Sequence, residues 1–203
     1  MTVVSTWSEV ITTDYSTYFF LDRWVPVGEE VVIEDDMGLS RGRLTGFLGM
    51  RSPWSAVVLC GTSNGPIRLT VEVHDSPVAP ADQAYWTKIT TEWSEIIETT
   101  FQVRSGQVTF LSLFNEPITE VELLPIGAWR VRAHAKGRDE GHAERSDKPV
   151  TEDPIEEHLI QFWPGPDPGD FVMTRDKIGA NYRGAEPPID AQVGLTGDFP
   201  PPE

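Results

Sequence analysis

The sequence predicts an all-β fold, an antiparallel β-sandwich that is jelly-roll-like and has at most one short helix. Seventeen glycines and seventeen prolines interrupt the 203-residue chain at short intervals. Between them lie short runs rich in β-branched and aromatic residues, a pattern typical of sandwiches with many turns. We expect a single domain over residues 1–182, followed by a proline-rich extended or disordered tail over residues 183–203.

In the first half of the chain, the strand predictions depend on short β-branched and aromatic runs between turn residues. The clearest run is IRLTVEV, where Ile67, Leu69 and Val71 alternate with polar residues, so one face is buried and the other is wet. A glycine-rich stretch, GLSRGRLTGFLG, is interpreted as a loop. The predicted strands cover residues 10–21, 29–33, 55–60 and 67–73.

The second half begins with one ambiguous segment, for which we expect at most a short helical turn near residues 84–91. A hairpin with Ser105-Gly106 at its tip follows, with strands over 95–104 and 107–114. The run LLPIG predicts a tight corner into the strand AWRVRAHA. After a polar stretch over residues 137–154 comes the strand HLIQFWP, which Pro164 ends because proline cannot donate to a ladder.

Alternate positions of these strands give the expected core, and Trp129 and Trp163 are expected to close its edges. The predicted core residues are Phe19, Leu21, Val57, Leu59, Leu69, Val71, Ile97, Phe101, Val103, Val108, Phe110, Val131, Leu159 and Phe162.

The chain has one cysteine, Cys60, so an intramolecular disulfide framework is excluded and a reducing compartment is favoured. The N-terminal residues lack the basic and apolar regions of a signal peptide. The longest apolar run, residues 56–60, is far shorter than the ~20 residues that span a bilayer. We therefore expect a soluble, cytoplasmic protein without a membrane partner.

Catalytic and metal-binding motifs give little support for an enzyme. G-x-S-x-G occurs twice, as GLSRG (residues 38–42) and GTSNG (residues 61–65), but each lies in a stretch that is interpreted as a loop or turn, and there is no glycine-rich phosphate loop. Cys60 ends an apolar strand without a histidine beside it in the sequence, which favours a buried structural thiol. The four histidines lack metal-ligand spacing, and DEGHAE is interpreted as a solvated loop. We expect no catalytic residue, no metal and no cofactor, although an enzyme with an unfamiliar carboxylate site is an alternative.

The charge pattern is more informative, because 32 acidic and 16 basic residues give a net charge of −16. The segment WRVRAHAKGR is an exception to this acidic pattern. Its Arg130 and Arg132 project from one face of a strand. If this strand pairs with HLIQFWP, Glu156 or Glu157 lies opposite an arginine, which predicts a structural salt ladder rather than an anion site. The candidate partner-binding carboxylates lie in two acidic segments: Glu29, Glu30, Glu34, Asp35 and Asp36, and Asp139, Glu140, Glu144, Glu152 and Asp153.

This pattern predicts a non-catalytic, acidic binding protein, an inhibitor or immunity protein for a nuclease or another basic toxin. A purely solubilising acidic surface is the simpler interpretation of the same charge. The alternative function is a sandwich module that binds a small molecule or a carbohydrate through exposed aromatics such as Trp54, Trp86 and Trp93. Direct nucleic-acid binding is not expected, because the net charge has the wrong sign.

Five motifs follow one another in order: DYSTYFFLD, IRLTVEVHDSP, EIIETTFQVRSGQV, LPIGAWRVR and EEHLIQFWP. Together they resemble the competence protein J family, also called nuclease-inhibitor-like, and its longer actinobacterial relatives. The resemblance covers roughly residues 10–176, and L-P-x-G-x-(aromatic)-R-V-R followed by L-I-Q-x-W-P is its most specific part. It implies an antiparallel β-sandwich and a cytosolic protein that binds and inhibits a DNA-degrading nuclease. No inhibitory residues are carried over from the family.

Overall fold

The structure, a computed structural model, describes residues 2–23, 46–78, 83–144, 153–166 and 169–181. These residues form eleven strands and three short helices. In chain order the elements are β1 (Val3–Thr13), β2 (Thr17–Asp22), β3 (Leu48–Ser52), β4 (Ser55–Leu59), β5 (Gly65–His74), α1 (Gln83–Glu92), β6 (Glu95–Val103), β7 (Gln107–Ser112), β8 (Pro117–Glu122), β9 (Gly127–Lys136), α2 (Arg138–Glu144), β10 (Glu156–Pro164), β11 (Phe171–Thr174) and α3 (Lys177–Asn181). No helix in the described ranges is long and apolar enough to cross a membrane.

The strands form two sheets. The large sheet has the order β1-β5-β10-β9-β6-β11, and the small sheet has the order β3-β4-β2-β7-β8. Neighbouring strands are antiparallel except β5 and β10, which run parallel. The predicted all-β, antiparallel sandwich is therefore confirmed, with short helices α2 and α3 in addition to the one helix that the sequence predicts.

The core lies between the two sheets, where four phenylalanine rings meet. Phe20 and Phe110 come from the small sheet, and Phe101 and Phe162 come from the large sheet. Phe20 and Phe162 pack edge to face with ring centroids 5.6 Å apart. Each fully buried ring of this kind stabilises the fold by about 1.5–3 kcal/mol. The inward orientation predicted for Phe162 is thus confirmed.

In β2 and β4 the predicted core-facing side is wrong. Tyr18 and Phe20 of β2, together with Val58 of β4, point into the core, whereas Phe19 and Val57 form a separate buried pair on the other face of the small sheet. Both faces of these strands are apolar, so the alternation that distinguishes inside from outside is missing. Three other predicted core residues are only partly buried: Leu21, Leu59 and Leu159.

Two predicted connections also differ. The predicted hairpin at Ser105-Gly106 is a crossing between sheets, because β6 belongs to the large sheet and β7 to the small sheet. The predicted strand over residues 10–21 is broken by Tyr15 and Ser16, whose positive φ angles of 50° and 59° turn the chain from β1 into β2. A turn signal marks where the chain reverses but not which sheet it enters.

Several further predictions have clear outcomes. The tight corner at LLPIG and the antiparallel pairing of β9 with β10 are confirmed. The prediction that DEGHAE is a solvated loop is wrong, because these residues form α2. Trp129 and Trp163 are both buried, Trp129 in the core between the sheets. The predicted strand over residues 29–33 and the tail lie outside the described residues.

Candidate functional site

Most of the predicted acidic segments lie outside the described residues, namely Glu29, Glu30, Glu34, Asp35, Asp36 and Glu152. Of the others, Glu140 and Asp153 are exposed, and Glu144 ends α2. Asp139 has a structural contact, because its carboxylate accepts the backbone N–H groups of Lys177 and Ile178 at 3.1 Å each. Asp139 therefore joins α2 to the start of α3.

The two arginines of β9 project from one face, as predicted, but their partner is Glu98 of β6. Arg132 Nε and Nη2 donate to Glu98 Oε2 at 3.0 and 2.8 Å. Arg130 Nε donates to Glu98 Oε1 at 3.0 Å, and its Nη1 donates to the Thr100 hydroxyl at 2.5 Å. One buried carboxylate thus holds two buried guanidinium groups, with one oxygen for each.

The predicted partners of these arginines are therefore corrected. Glu157 pairs with Lys136 at 3.1 Å, and Glu156 points to the opposite face of the large sheet, into the core. β9 has two neighbours, β10 and β6, and the sequence analysis considered only β10. The salt ladder exists, but it runs to β6.

The ladder is one row of side chains across four strands. In the register of the large sheet, Glu72 of β5 is opposite Gln161 of β10, Gln161 is opposite Arg132, and Arg132 is opposite Glu98. Gln161 Nε2 donates to Glu72 Oε2 at 2.8 Å, which extends the hydrogen bonding along the row. Negative groups therefore stand at both ends of a row with arginine inside it.

The tryptophans that suggested a ligand site are packed against cations. The guanidinium of Arg132 lies 4.9 Å from the ring centres of both Trp86 and Trp163. Arg104 lies 4.2 Å from the ring centre of Trp54. Such contacts contribute about 0.5–2 kcal/mol and shield the charge from water. These ring faces therefore have a structural role within the protein.

Trp93 covers a buried histidine on the same face of the large sheet. Its ring centre lies 5.4 Å from that of His134, and Lys136 lies 5.0 Å from it on β9. Burial, together with the nearby charge of Arg132, lowers the pKa of His134 to about 3. His134 is neutral, and its Nδ1–H donates to the carbonyl of Leu159 at 3.2 Å.

A second polar cluster lies inside the sandwich, at the start of β10. His158 Nε2 donates to Glu156 Oε1 at 2.8 Å, and the Tyr18 hydroxyl donates to His158 Nδ1 at 3.1 Å. Glu156 also accepts the backbone N–H groups of Gly61 and Thr62 at 2.9 and 2.7 Å. Burial alone would raise the pKa of Glu156, but the His158 hydrogen bond and these two N–H groups bring it below its ordinary value.

Cys60 lies beside this pair, a juxtaposition that the sequence analysis missed. Ligand atoms of Cys60, Glu156 and His158 lie within 4.8 Å of one another, and all three side chains are buried. Burial and the charge of Glu156 raise the pKa of the thiol well above its ordinary value. Both ring nitrogens of His158 have hydrogen-bond partners within the protein, the Tyr18 hydroxyl and Glu156.

A third cluster joins α2, α3 and β6 around Arg138. Its Nη1 donates to Asp176 Oδ2 at 2.9 Å, and its Nη2 donates to the carbonyl of Gly46 at 2.6 Å. The backbone N–H of Asp176 donates to Glu95 Oε2 at 2.7 Å. Burial, then the charge of Asp176, raises the pKa of Glu95 to about 8, so Glu95 is mostly protonated at neutral pH.

Two signals in the sequence point to these clusters. In EEHLIQ, Glu156 and His158 occupy the positions that continue the inward face of Ile160 and Phe162. Arg138 follows a glycine, Gly137, whose φ of 78° ends β9 and begins α2. A charged residue in phase with a core stripe is buried and needs a partner.

The comparisons with known proteins bear on the fold. No protein-family model matches the sequence, and no curated protein matches it. Two solved structures are similar. The crystal structure of ComJ, inhibitor of the DNA degrading activity of NucA, from Bacillus subtilis has 10% identity and a TM-score of 0.48 over 80% of this chain and 98% of that chain. Crocagin biosynthetic gene J has 13% identity and a TM-score of 0.50 over 82% of this chain and 100% of that chain.

The second likeness shows the fold. The chain therefore has the same arrangement of strands as a protein that it covers over its whole length. The sequence motifs resemble the competence protein J family, and what the comparison of structures shows is a likeness of fold. Sandwiches of one arrangement serve many functions, so the function has to be argued from the residues.

Proposed function

We propose that the protein is a non-catalytic acidic binding protein whose surface binds and blocks a basic protein, with a DNA-degrading nuclease as the first candidate. One observation carries the proposal. The arginines of the basic segment WRVRAHAKGR are buried. Arg130, Arg132 and Arg138 are each at most 2% exposed, and each is bound to a carboxylate. The surface therefore has no arginine cluster from this segment.

The surface charge follows from this burial. The chain has a net charge of −16, and in the described ranges the buried arginines pair with buried carboxylates, so these arginines add no positive charge to the surface. A nuclease that binds polyanionic DNA has a positive site, and complementary potentials speed the encounter of two proteins. Exposed carboxylates in the described ranges are Glu9, Asp75, Glu92, Glu116, Glu120, Glu122, Glu140 and Asp153.

The non-catalytic part of the proposal is supported by the chemistry of the buried clusters. Cys60, Glu156 and His158 are the residue types of a nucleophile, an orienting acid and a base, yet all three are enclosed in the core. A nucleophilic cysteine needs a lowered pKa and access to substrate, whereas this thiol has a raised pKa. The sequence resemblance to a nuclease-inhibitor-like family points in the same direction.

The test measures inhibition of a basic, non-sequence-specific nuclease that cleaves linear duplex DNA. The intact protein is titrated into the nuclease, and the initial cleavage rate is followed at low and high salt. We expect inhibition that saturates at one protein per nuclease and weakens steeply as salt increases, because screening removes the attraction between exposed charges.

A matched control separates specific inhibition from a general effect of negative charge. An unrelated acidic protein of similar size and net charge is titrated under the same conditions. The proposal is wrong for nucleases if the two proteins have the same effect, or if neither slows cleavage at a large excess over a panel of basic nucleases.

A further inference from the structure

β1 forms an open edge of the large sheet. It pairs with β5 along its whole length, from Val3 opposite His74 to Thr13 opposite Gly65. Among the described residues no strand pairs with its other side. Side chains on both of its faces are exposed in the first half, where Val4 is 65% exposed. An ordered row of backbone N–H and C=O groups therefore faces outward.

β1 lacks the features that usually protect an edge strand. Natural edges carry prolines or charged side chains, which discourage pairing with another chain. β8, which ends the small sheet, follows this rule, with Pro117 at its start and with Glu120 and Glu122 exposed. In β1 the first charged residue is Glu9, and the run VVSTWS before it is neutral. The first half of β1 therefore lacks the side chains that would discourage pairing with another strand.

We propose that β1 pairs antiparallel with β1 of a second copy of this chain across a twofold axis. The pairing joins two six-stranded sheets into one continuous sheet. Hydrogen bonds between main chains supply the attraction, as in strand addition to an open sheet edge. A twofold interface is self-complementary, so one unprotected strand is sufficient to build it.

The distribution of charge favours a second copy as the occupant. Two molecules with a net charge of −16 each repel, and they approach most easily where each is neutral. An antiparallel pairing centred on Thr6 places Glu9 opposite Val3 of the second copy, so like charges do not face each other. The same pairing at β8 would bring Glu120 and Glu122 of both copies together, which is unfavourable.

Self-association through β1 and binding of a basic partner depend on salt concentration in opposite ways. Salt screens the repulsion between two acidic copies, so self-association strengthens as salt increases. Binding of a basic protein weakens under the same change. The failure of either proposal therefore leaves the other intact.

The experiment measures molecular mass by sedimentation velocity over a range of protein concentrations. It compares ~50 mM with ~500 mM NaCl, a change that shortens the screening length about threefold. We expect wild-type protein to pass from monomer to dimer, about a doubling of mass, with the dimer forming at a lower protein concentration in high salt. Amide hydrogen exchange in β1 should slow as the dimer forms, which locates the interface.

Two double variants add the same charge at different exposed places. Val4→Glu with Ser5→Glu acts on the β1 edge, whereas Leu124→Glu with Ile126→Glu acts on residues that are 60% exposed beside β9. All four positions are exposed, so both variants should fold. We expect the first variant to lose the dimer and the second to keep it. The proposal is overturned if wild-type protein stays monomeric at every salt and concentration, or if the β1 variant dimerises like wild-type.

Discussion

Glu98 and Glu140 are both glutamates of an acidic chain, but their surroundings differ in every respect. Glu98 is 7% exposed and touches two guanidinium groups, whereas Glu140 on α2 faces water. The desolvation of a buried carboxylate is costly, so it persists only with partners of opposite charge. A carboxylate in water has no such requirement and is available to another molecule. Buried charges are therefore bound within the protein, and exposed charges are the candidates for binding.

The same contrast exists between two carboxylates inside the protein. Glu156 accepts three N–H donors within 3 Å, and its pKa is lowered. Glu95 accepts one N–H, from Asp176, lies 3.8 Å from Arg138, and has a pKa of about 8. Both carboxylates are buried, so the number of hydrogen-bond donors and the nearby charge of Asp176 decide which one stays ionised.

The largest expected effect comes from removing the charge of Glu98. Glu98→Gln removes the negative charge that the buried Arg130 and Arg132 share, which costs about 3–5 kcal/mol for a broken buried pair. The free energy of unfolding in urea measures it. Glu157→Gln is the matched control, because Glu157 and its partner Lys136 are both more than one third exposed and the change should be under about 1 kcal/mol. Equal losses for the two variants would contradict the account.

A smaller loss is expected at Glu156. Glu156→Gln replaces an acceptor of three hydrogen bonds with an amide whose NH₂ group meets donors, so at least one buried N–H loses its partner at about 1–3 kcal/mol. Glu95→Gln should cost less near pH 6, because Glu95 is already neutral there. Urea unfolding of both variants tests the order. A larger loss for Glu95→Gln would mean that Glu95 is ionised in the folded protein.

The pH dependence of stability sharpens the same contrast. The pKa of Glu95 rises from 4.5 to about 8 on folding, so the folded state binds more protons between these values. The stability from this proton is complete below pH 4.5 and is lost as pH rises through 8, at no more than about 1.4 kcal/mol per pH unit. His134, with its pKa lowered to about 3, acts oppositely, and its contribution is lost only as pH falls below 6.5.

Of these two groups, only Glu95 therefore changes its contribution to stability between pH 6.5 and 8. From pH 6.5 to 8, wild-type protein should lose stability relative to Glu95→Gln in parallel urea titrations. A constant difference between the two proteins across this window would show that Glu95 does not change its protonation there.

Parts of this architecture were visible in the sequence because neighbouring residues encode them. The alternation of Ile67, Leu69 and Val71 predicted a half-buried strand, and Arg130 and Arg132 were correctly placed on one face. Both inferences need only the period of a single strand. The sandwich, which the turn-rich β pattern and the resemblance both predict, is confirmed by the two sheets of the structure.

The partners of the buried charges could not be predicted from the residue pattern of a single strand. Glu98 lies 32 residues from Arg130, and Glu156 lies 95 residues from Gly61, so each contact depends on which strands become neighbours. One strand's pattern does not specify the adjacent strand or its register. The candidate carboxylates near residues 29–36 had a different difficulty, because their density shows only where charge lies. Their role in binding stays a prediction.

The smallest expected effect on stability comes from neutralising candidate partner-binding carboxylates. The same variants test most directly the central claim, that carboxylates of this acidic chain bind a basic partner. Glu34→Gln with Asp35→Asn and Asp36→Asn is compared with wild-type protein, and so is Glu116→Gln with Glu122→Gln, which changes two exposed residues at the edge of the small sheet. Both variants should keep the free energy of unfolding within about 0.5 kcal/mol. The measurement is the association rate with an inhibited basic nuclease as a function of salt. The account predicts a slower rate and a shallower salt slope for at least one of these variants. An unchanged rate and slope in both, with inhibition intact, would contradict the claim that these carboxylates bind the partner.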